Sequence, residues 1–133
     1  RKSTSGYILY MAGGPVSWRS ARQPIVAQSS CESELIALAE TAKEVLYFQD
    51  IVAEIFGDPP PRFTIFGDNK GTIDLARNAV YHRRTKHVDV RYFFIRDCIA
   101  KDAFKVVWVP TETNIADGFT KALTAAKFAT FVE

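Results

Sequence analysis

The stretch "RFTIFGDNKGTIDLA", residues 62–76, carries an apolar run straight into an acid and out again into a second apolar segment. "RFTIFGD" is rich in β-favouring side chains, which predicts a strand of four to six residues ending at Asp68. Asn69 is a suitable cap, and the residues beyond it predict a short helix from about Gly71 to Arg77. A strand handing over to a helix through so few residues points to a mixed α/β sheet. One carboxylate, Asp68, stands at the hand-over.

The remaining segments fit the same class. "SGYILYMAGGPVSWRS" reads as a β-hairpin, with Gly13-Gly14 supplying the turn and Val16 to Trp18 resuming the strand pattern. After Pro24, Ser29 and Glu32 form a capping-box pair at the head of a long helix. Leu35, Leu38, Ala42, Val45, Val52 and Ile55 recur along it near helical spacing, and Gly57 stops it before three prolines. Val88, Tyr92, Ile95 and Ile99 predict a further amphipathic helix, "FKVVWV" a strand closed by Pro110, and "TETNIADGFTKAL" a loop and last helix capped by Thr113 or Asn114. The expected order is strand, strand, helix, strand, helix, helix, strand, helix, without repeats or low-complexity linkers.

A chain of 133 residues, 47% hydrophobic and 24% charged, suffices for one globular domain with its own core. No apolar run approaches the roughly 20 residues of a membrane helix. "GYILYM" has about half the apolar length of a signal peptide, and Gly-Gly-Pro follows it, so it reads as a strand. Cys31 and Cys98 lack metal-type spacing and read as reduced thiols near helix core faces, which fits an intracellular compartment. A formal charge of +2 is too small to announce nucleic-acid binding, but its distribution is uneven. "HRRTKHVDVRYFFIR" gathers Arg83, Arg84, Lys86, Arg91 and Arg96 beside His82 and His87, either as a phosphate-binding patch or as a solvated helix entry.

Three carboxylates, Glu34, Asp68 and Asp117, occupy positions where an apolar residue would pack at lower cost. Singly each has a structural account: the helix dipole favours Glu34 and Asp117, and an Asx-turn accounts for Asp68. Together they suggest more, because strand ends and the starts of the following helices converge on one rim of a mixed sheet. Acids gathered there repel unless a cation neutralises them, and hard oxygen ligands suit Mg²⁺ or Mn²⁺.

The blocks "SSCESELIAL", "GDN", "RTKHVDVRYFFIR" and "VVWVPTETNIADGFTKAL" resemble the ribonuclease H domain of copia-type (Pseudoviridae) retrotransposon Pol polyproteins, in order and over nearly the whole chain. The resemblance implies a ribonuclease H-like mixed sheet with helices on both faces, spanning residues 1–133 as a single domain. It implies two-metal hydrolysis of the RNA strand of RNA–DNA hybrids, with two Mg²⁺ or Mn²⁺ ions. By it Glu34, Asp68 and Asp117 are the catalytic, metal-binding acids, and Lys70, Arg83, Arg84, Lys86, His87 and Arg91 contact nucleic acid. His87 stays open between such a contact, an ordering role in its loop and a structural role beside Asp89. Glu34 preceding Asp68 separates the chain from retroviral-type integrases and transposases, which place the helix Glu after the strand-end Asp.

The family's first catalytic Asp sits on a central first strand, in a block upstream of "RKSTSGY", and this sequence holds no substitute. The resemblance therefore implies a domain truncated at its N-terminus, weak or inactive alone, belonging to a longer polyprotein beside a reverse transcriptase domain. The expected partners are the hybrid and that upstream domain, with no membrane, and the expected location is intracellular, in a cytoplasmic virus-like particle for an active element. The competing expectation is a catalytically inactive nucleic-acid-binding or structural remnant of such an element.

Overall fold

The computed structural model describes residues 2–57, 62–77 and 86–121, together with 123, 125 and 126, and for 86–88 the backbone alone. Strand β1 (Thr4–Met11) and strand β2 (Gly14–Arg22) form an antiparallel hairpin. Its two-residue turn is Ala12-Gly13, with φ of 51° and 81°. Two successive positive φ values give the turn whose twist matches the flanking strands. The turn thus falls one residue before the expected Gly13-Gly14, because Gly14 already pairs with Met11.

Helix α1 spans Ser30–Phe56. Ser29 Oγ accepts from Glu32 N at 3.1 Å, while Glu32 Oε2 accepts from Gln28 N at 2.8 Å, so the expected cap forms with its return bond one residue further out. Gly57, at φ 88°, ends the helix and donates to Ala53 O at 2.8 Å. Leu35, Leu38, Ala42 and Val45 are buried as their spacing predicts. The stripe does not continue to the end of the helix. Ile55 is 65% exposed and Phe56 80%, because the last turns run past the strands that cover the first half.

Strand β3 (Phe63–Gly67) and strand β4 (Phe104–Trp108) pair in parallel, Ile65 opposite Val106. A parallel pair needs a crossover. Helix α2 (Lys70–Arg77) and helix α3 (Lys86–Ala100) lie within it. Asn69 Oδ1 caps α2 by accepting from Thr72 N at 3.0 Å, and Arg96 Nη1 donates to Ala76 O at 2.9 Å, tying α3 to the end of α2. Leu9, Ile65 and Val106 from the strands close on Leu35, Leu38 and Ala42 of α1, with Ile73 of α2 and Tyr92 and Ile95 of α3 completing the core. Side chains of this kind contribute about 1.5–3 kcal/mol each when fully buried.

The class is mixed α/β, and two features depart from expectation. The last helix, expected within 111–123, is instead a pair of short 3-10 turns, Thr111–Thr113 and Ile115–Phe119. Gly118 weakens an α-helix here, and Thr120 Oγ1 donates to Asp117 O at 2.8 Å, competing with helical pairing. Asn114 does cap the second turn, accepting from Ala116 N at 3.2 Å. Among the described residues the strands form two separate two-stranded sheets. Between them lies a cleft of about 500 Å³, walled by Gly6 to Tyr10 of β1 and Phe63 to Gly67 of β3 and floored by α1. On β3–β4 the face away from the core carries Phe66, 59% exposed, and Val107, 39% exposed, so among the described residues helices cover one face of that sheet. No helix among the described residues is long and apolar enough to cross a membrane.

Candidate functional site

Glu34 stands one turn into α1, Asp68 immediately follows β3, and Asp117 lies within the second 3-10 turn. All three half-buried side chains line one small cavity of about 50 Å³, together with Thr4 and Gly6 at the start of β1. The cavity adjoins the larger cleft, since Glu34 lines both. It touches the beginning of β1 and the residue after the end of β3, so the two strands run in opposite directions along the cleft walls. An extended segment between them would be parallel to one and antiparallel to the other.

The strands hold the acids through their main chains. Trp108 Nε1 donates to Asp68 O at 3.1 Å, and Val109 N donates to Gly67 O at 2.8 Å, fixing the end of β3 to β4. The second 3-10 turn sits on the hairpin, where the Ser20 hydroxyl donates to Phe119 O. Gly6 allows this close approach: a Cβ there would fall 2.5 Å from Phe119 Cβ. Asp117 is therefore placed by packing on β1.

Burial raises the pKa of Glu34 above its ordinary 4.5, and the nearby charges of Asp68 and then Asp117 push it further, against a smaller pull from Lys121. Lys121 Nζ lies 3.3 Å from Asp117 Oδ2. The site is thus rich in negative charge, and one of its carboxylates is ionised at a cost. That suits a hard divalent cation in chemistry. In geometry the set is open: among the described residues no group of three or more His, Cys, Asp or Glu side chains is assembled to hold an ion. Lys121 already supplies Asp117 with a counter-charge.

The residues expected to contact nucleic acid stand on α2 and α3 or lie outside the described residues. Lys70 is exposed at the start of α2, two residues past Asp68, and Arg91 is half-buried in α3. Lys86 and His87 are placed by backbone in the first turn of α3, while Arg83 and Arg84 lie outside the described residues. Two supporting residues escaped the sequence reading. Lys121 could have been found from its i,i+4 spacing to Asp117; Trp108 gave no signal beyond a strand pattern.

No family model and no solved structure matches the chain. Curated proteins do. The chain is 40% identical over 128 residues, 96% of its length, to a retrovirus-related Pol polyprotein from transposon TNT 1-94 of Nicotiana tabacum, and covers 10% of that protein. It is 37% identical over 132 residues to the corresponding polyprotein from transposon RE1 of Arabidopsis thaliana, covering 9% of it. The transposon Ty1-DR5 Gag-Pol polyprotein of Saccharomyces cerevisiae is 25% identical over 128 residues, 7% of its length. Nearly all of the chain is thus homologous to one segment of retrotransposon Pol polyproteins, and it spans about a tenth of the length of the curated relatives it matches.

Proposed function

We propose that the chain is the ribonuclease H segment of a copia-type retrotransposon Pol polyprotein and acts on the RNA strand of RNA–DNA hybrids. One observation carries the reading: Glu34, Asp68 and Asp117, far apart in sequence and supplied by three different elements, face a single cavity at the mouth of a cleft between two strands. The homology to Pol polyproteins supports it at the level of the polyprotein.

In this reading the three carboxylates would hold Mg²⁺ or Mn²⁺, two ions in the complete domain. Such ions supply activation of water and stabilisation of the departing 3′ oxygen. The chain's own contribution is electrostatic and positional. Glu34, ionised against burial and two neighbouring acids, gains most from a cation, and Trp108 and Gly6 fix where Asp68 and Asp117 stand. Lys70 and Arg91, with Arg83, Arg84 and Lys86, would meet the phosphates, and contact with the ribose 2′-OH would select RNA. In this reading the cleft between β1 and β3 would take a further strand, which in a ribonuclease H-like sheet is central and brings a fourth acid to the same mouth.

The open carboxylate set favours one competing reading, a remnant that binds nucleic acid or serves structurally without cutting. The test is Mg²⁺-dependent cleavage of a labelled hybrid by the chain alone and by the chain fused to upstream polyprotein sequence carrying an Asp-bearing strand. RNA cleavage that disappears in Asp68→Asn supports the proposal. Hybrid binding without cleavage by either protein would leave the remnant.

A further inference from the structure

Two buried polar side chains grip the first turn of α1 from opposite sides. Gln23, 2% exposed, follows the end of β2. Its Nε2 donates to Ser5 Oγ of β1 at 2.8 Å and to Ser33 O of α1 at 2.8 Å, while its main-chain N–H donates to Ser3 O at 2.7 Å. Ser33 O accepts only, which fixes the orientation of the amide. Gln23 Oε1 is buried with no hydrogen-bond partner among the described residues. An unpaired buried carbonyl lowers stability, and a methionine of similar reach would fill the space without one. The two bonds from Nε2, rather than packing alone, account for a glutamine here.

Across the helix, Thr72 of α2, also 2% exposed, places its Oγ1 3.3 Å from Cys31 O. Its own N–H bonds the Asn69 side chain, next to Asp68. The segment from Cys31 to Ser33 is therefore clamped to β1 by one side chain and to α2 by the other, and Glu34 is the next residue.

We propose that Gln23, with Thr72 opposite it, is a positioning residue that sets the separation at which Glu34 faces Asp68 and Asp117. The consequence for cation binding rests on the function proposed above; the clamp itself does not. Gln49 provides the control. It is likewise buried in α1 and donates through Nε2 to Ala103 O at 2.7 Å, in the other half of the helix.

The experiment compares the 133-residue chain with Gln23→Met, Thr72→Val and Gln49→Met by amide hydrogen exchange and by Mn²⁺ titration. In Gln23→Met, exchange over residues 33–37 rises at least roughly tenfold relative to the rest of α1, and Mn²⁺ affinity falls by about tenfold, the effect of losing a partner that orients a metal ligand. Thr72→Val shows the same pattern more weakly, and reads the other half of the clamp should Gln23→Met not fold. Gln49→Met loses thermal stability but leaves both local readouts unchanged. Unaltered exchange over 33–37 in Gln23→Met, unaltered Mn²⁺ affinity there when the parent chain binds the ion, or an equal local effect in Gln49→Met overturns the proposal. Raised exchange in Gln23→Met where neither the parent chain nor the chain fused to its upstream Asp-bearing strand binds Mn²⁺ upholds the clamp and sinks the cation reading instead.

Discussion

The indole N–H of Trp108 donates to the main-chain oxygen of Asp68 at 3.1 Å, joining the last residue of β4 to the residue that leaves β3. This bond lies beyond the final rung of the parallel ladder, Gly67 opposite Trp108. It therefore limits how far the Asp68 main chain can swing from the cavity. Trp108→Phe keeps an aromatic ring and removes the donor. The expected cost is about 0.5–1.5 kcal/mol in denaturant unfolding, with a loss of Mn²⁺ affinity that an equally destabilising core change does not produce. Unfolding curves and Mn²⁺ titration on the same samples check it.

Gly6 and Gly14 should respond oppositely to alanine. A Cβ at Gly6 would fall 2.5 Å from Phe119 Cβ and 3.1 Å from Thr120 Cγ2, whereas one at Gly14 meets nothing within 4 Å. Gly6→Ala forces the second 3-10 turn outward and carries Asp117 with it, at a cost of about 1–3 kcal/mol. Gly14→Ala is neutral or slightly stabilising. Thermal unfolding of the pair decides the matter.

Glu34 makes stability depend on pH. Burial, then Asp68 and Asp117, hold its folded pKa above the ordinary 4.5, so its protonated form favours folding. That contribution is fully present below the unfolded value and is lost as pH rises through the folded one. Without divalent ions, Glu34→Gln should therefore raise the melting temperature at pH 7 and leave it nearly unchanged at pH 4. Saturating Mg²⁺ should stabilise the parent chain at pH 7 and not the variant. Melting curves at both pH values, with and without Mg²⁺, give the sign.

Under the proposed function, Lys121 would compete with a cation for Asp117. The ammonium group is more than half exposed and pairs with a mostly buried carboxylate at i,i+4. Lys121→Met should change stability little. It should tighten Mn²⁺ binding by roughly 1.4- to fivefold, the equivalent of the 0.2–1 kcal/mol typical of an exposed ion pair. Weaker binding in the variant would mean that Lys121 supports the site rather than opposing it.

Much of this was legible in local residue patterns. Ser29 and Glu32 announce the start of α1, Gly57 its end, Asn69 the cap of α2, and Pro110 the close of β4, because each acts on main-chain groups within four residues of itself. The buried stripe from Leu35 to Val45 was legible for the same reason. Ile55 was not, since its spacing matches the stripe and only the length of the packed strands decides where burial stops. Asp117 was found as a site candidate, but its 3-10 setting depends on Gly118 and Thr120 acting together.

The sequence alone determines the order of strands and helices, their caps and the three acids at their junctions, through short-range main-chain chemistry that holds wherever the segments are placed. Only the tertiary structure decides that the strands part into two sheets, that a cleft separates β1 from β3, and that Gln23 and Thr72 grip the turn before Glu34. Those outcomes depend on which edges and side chains meet across long stretches of chain, as in the contact of Gly6 with Phe119, and nothing within either residue's local sequence specifies the other.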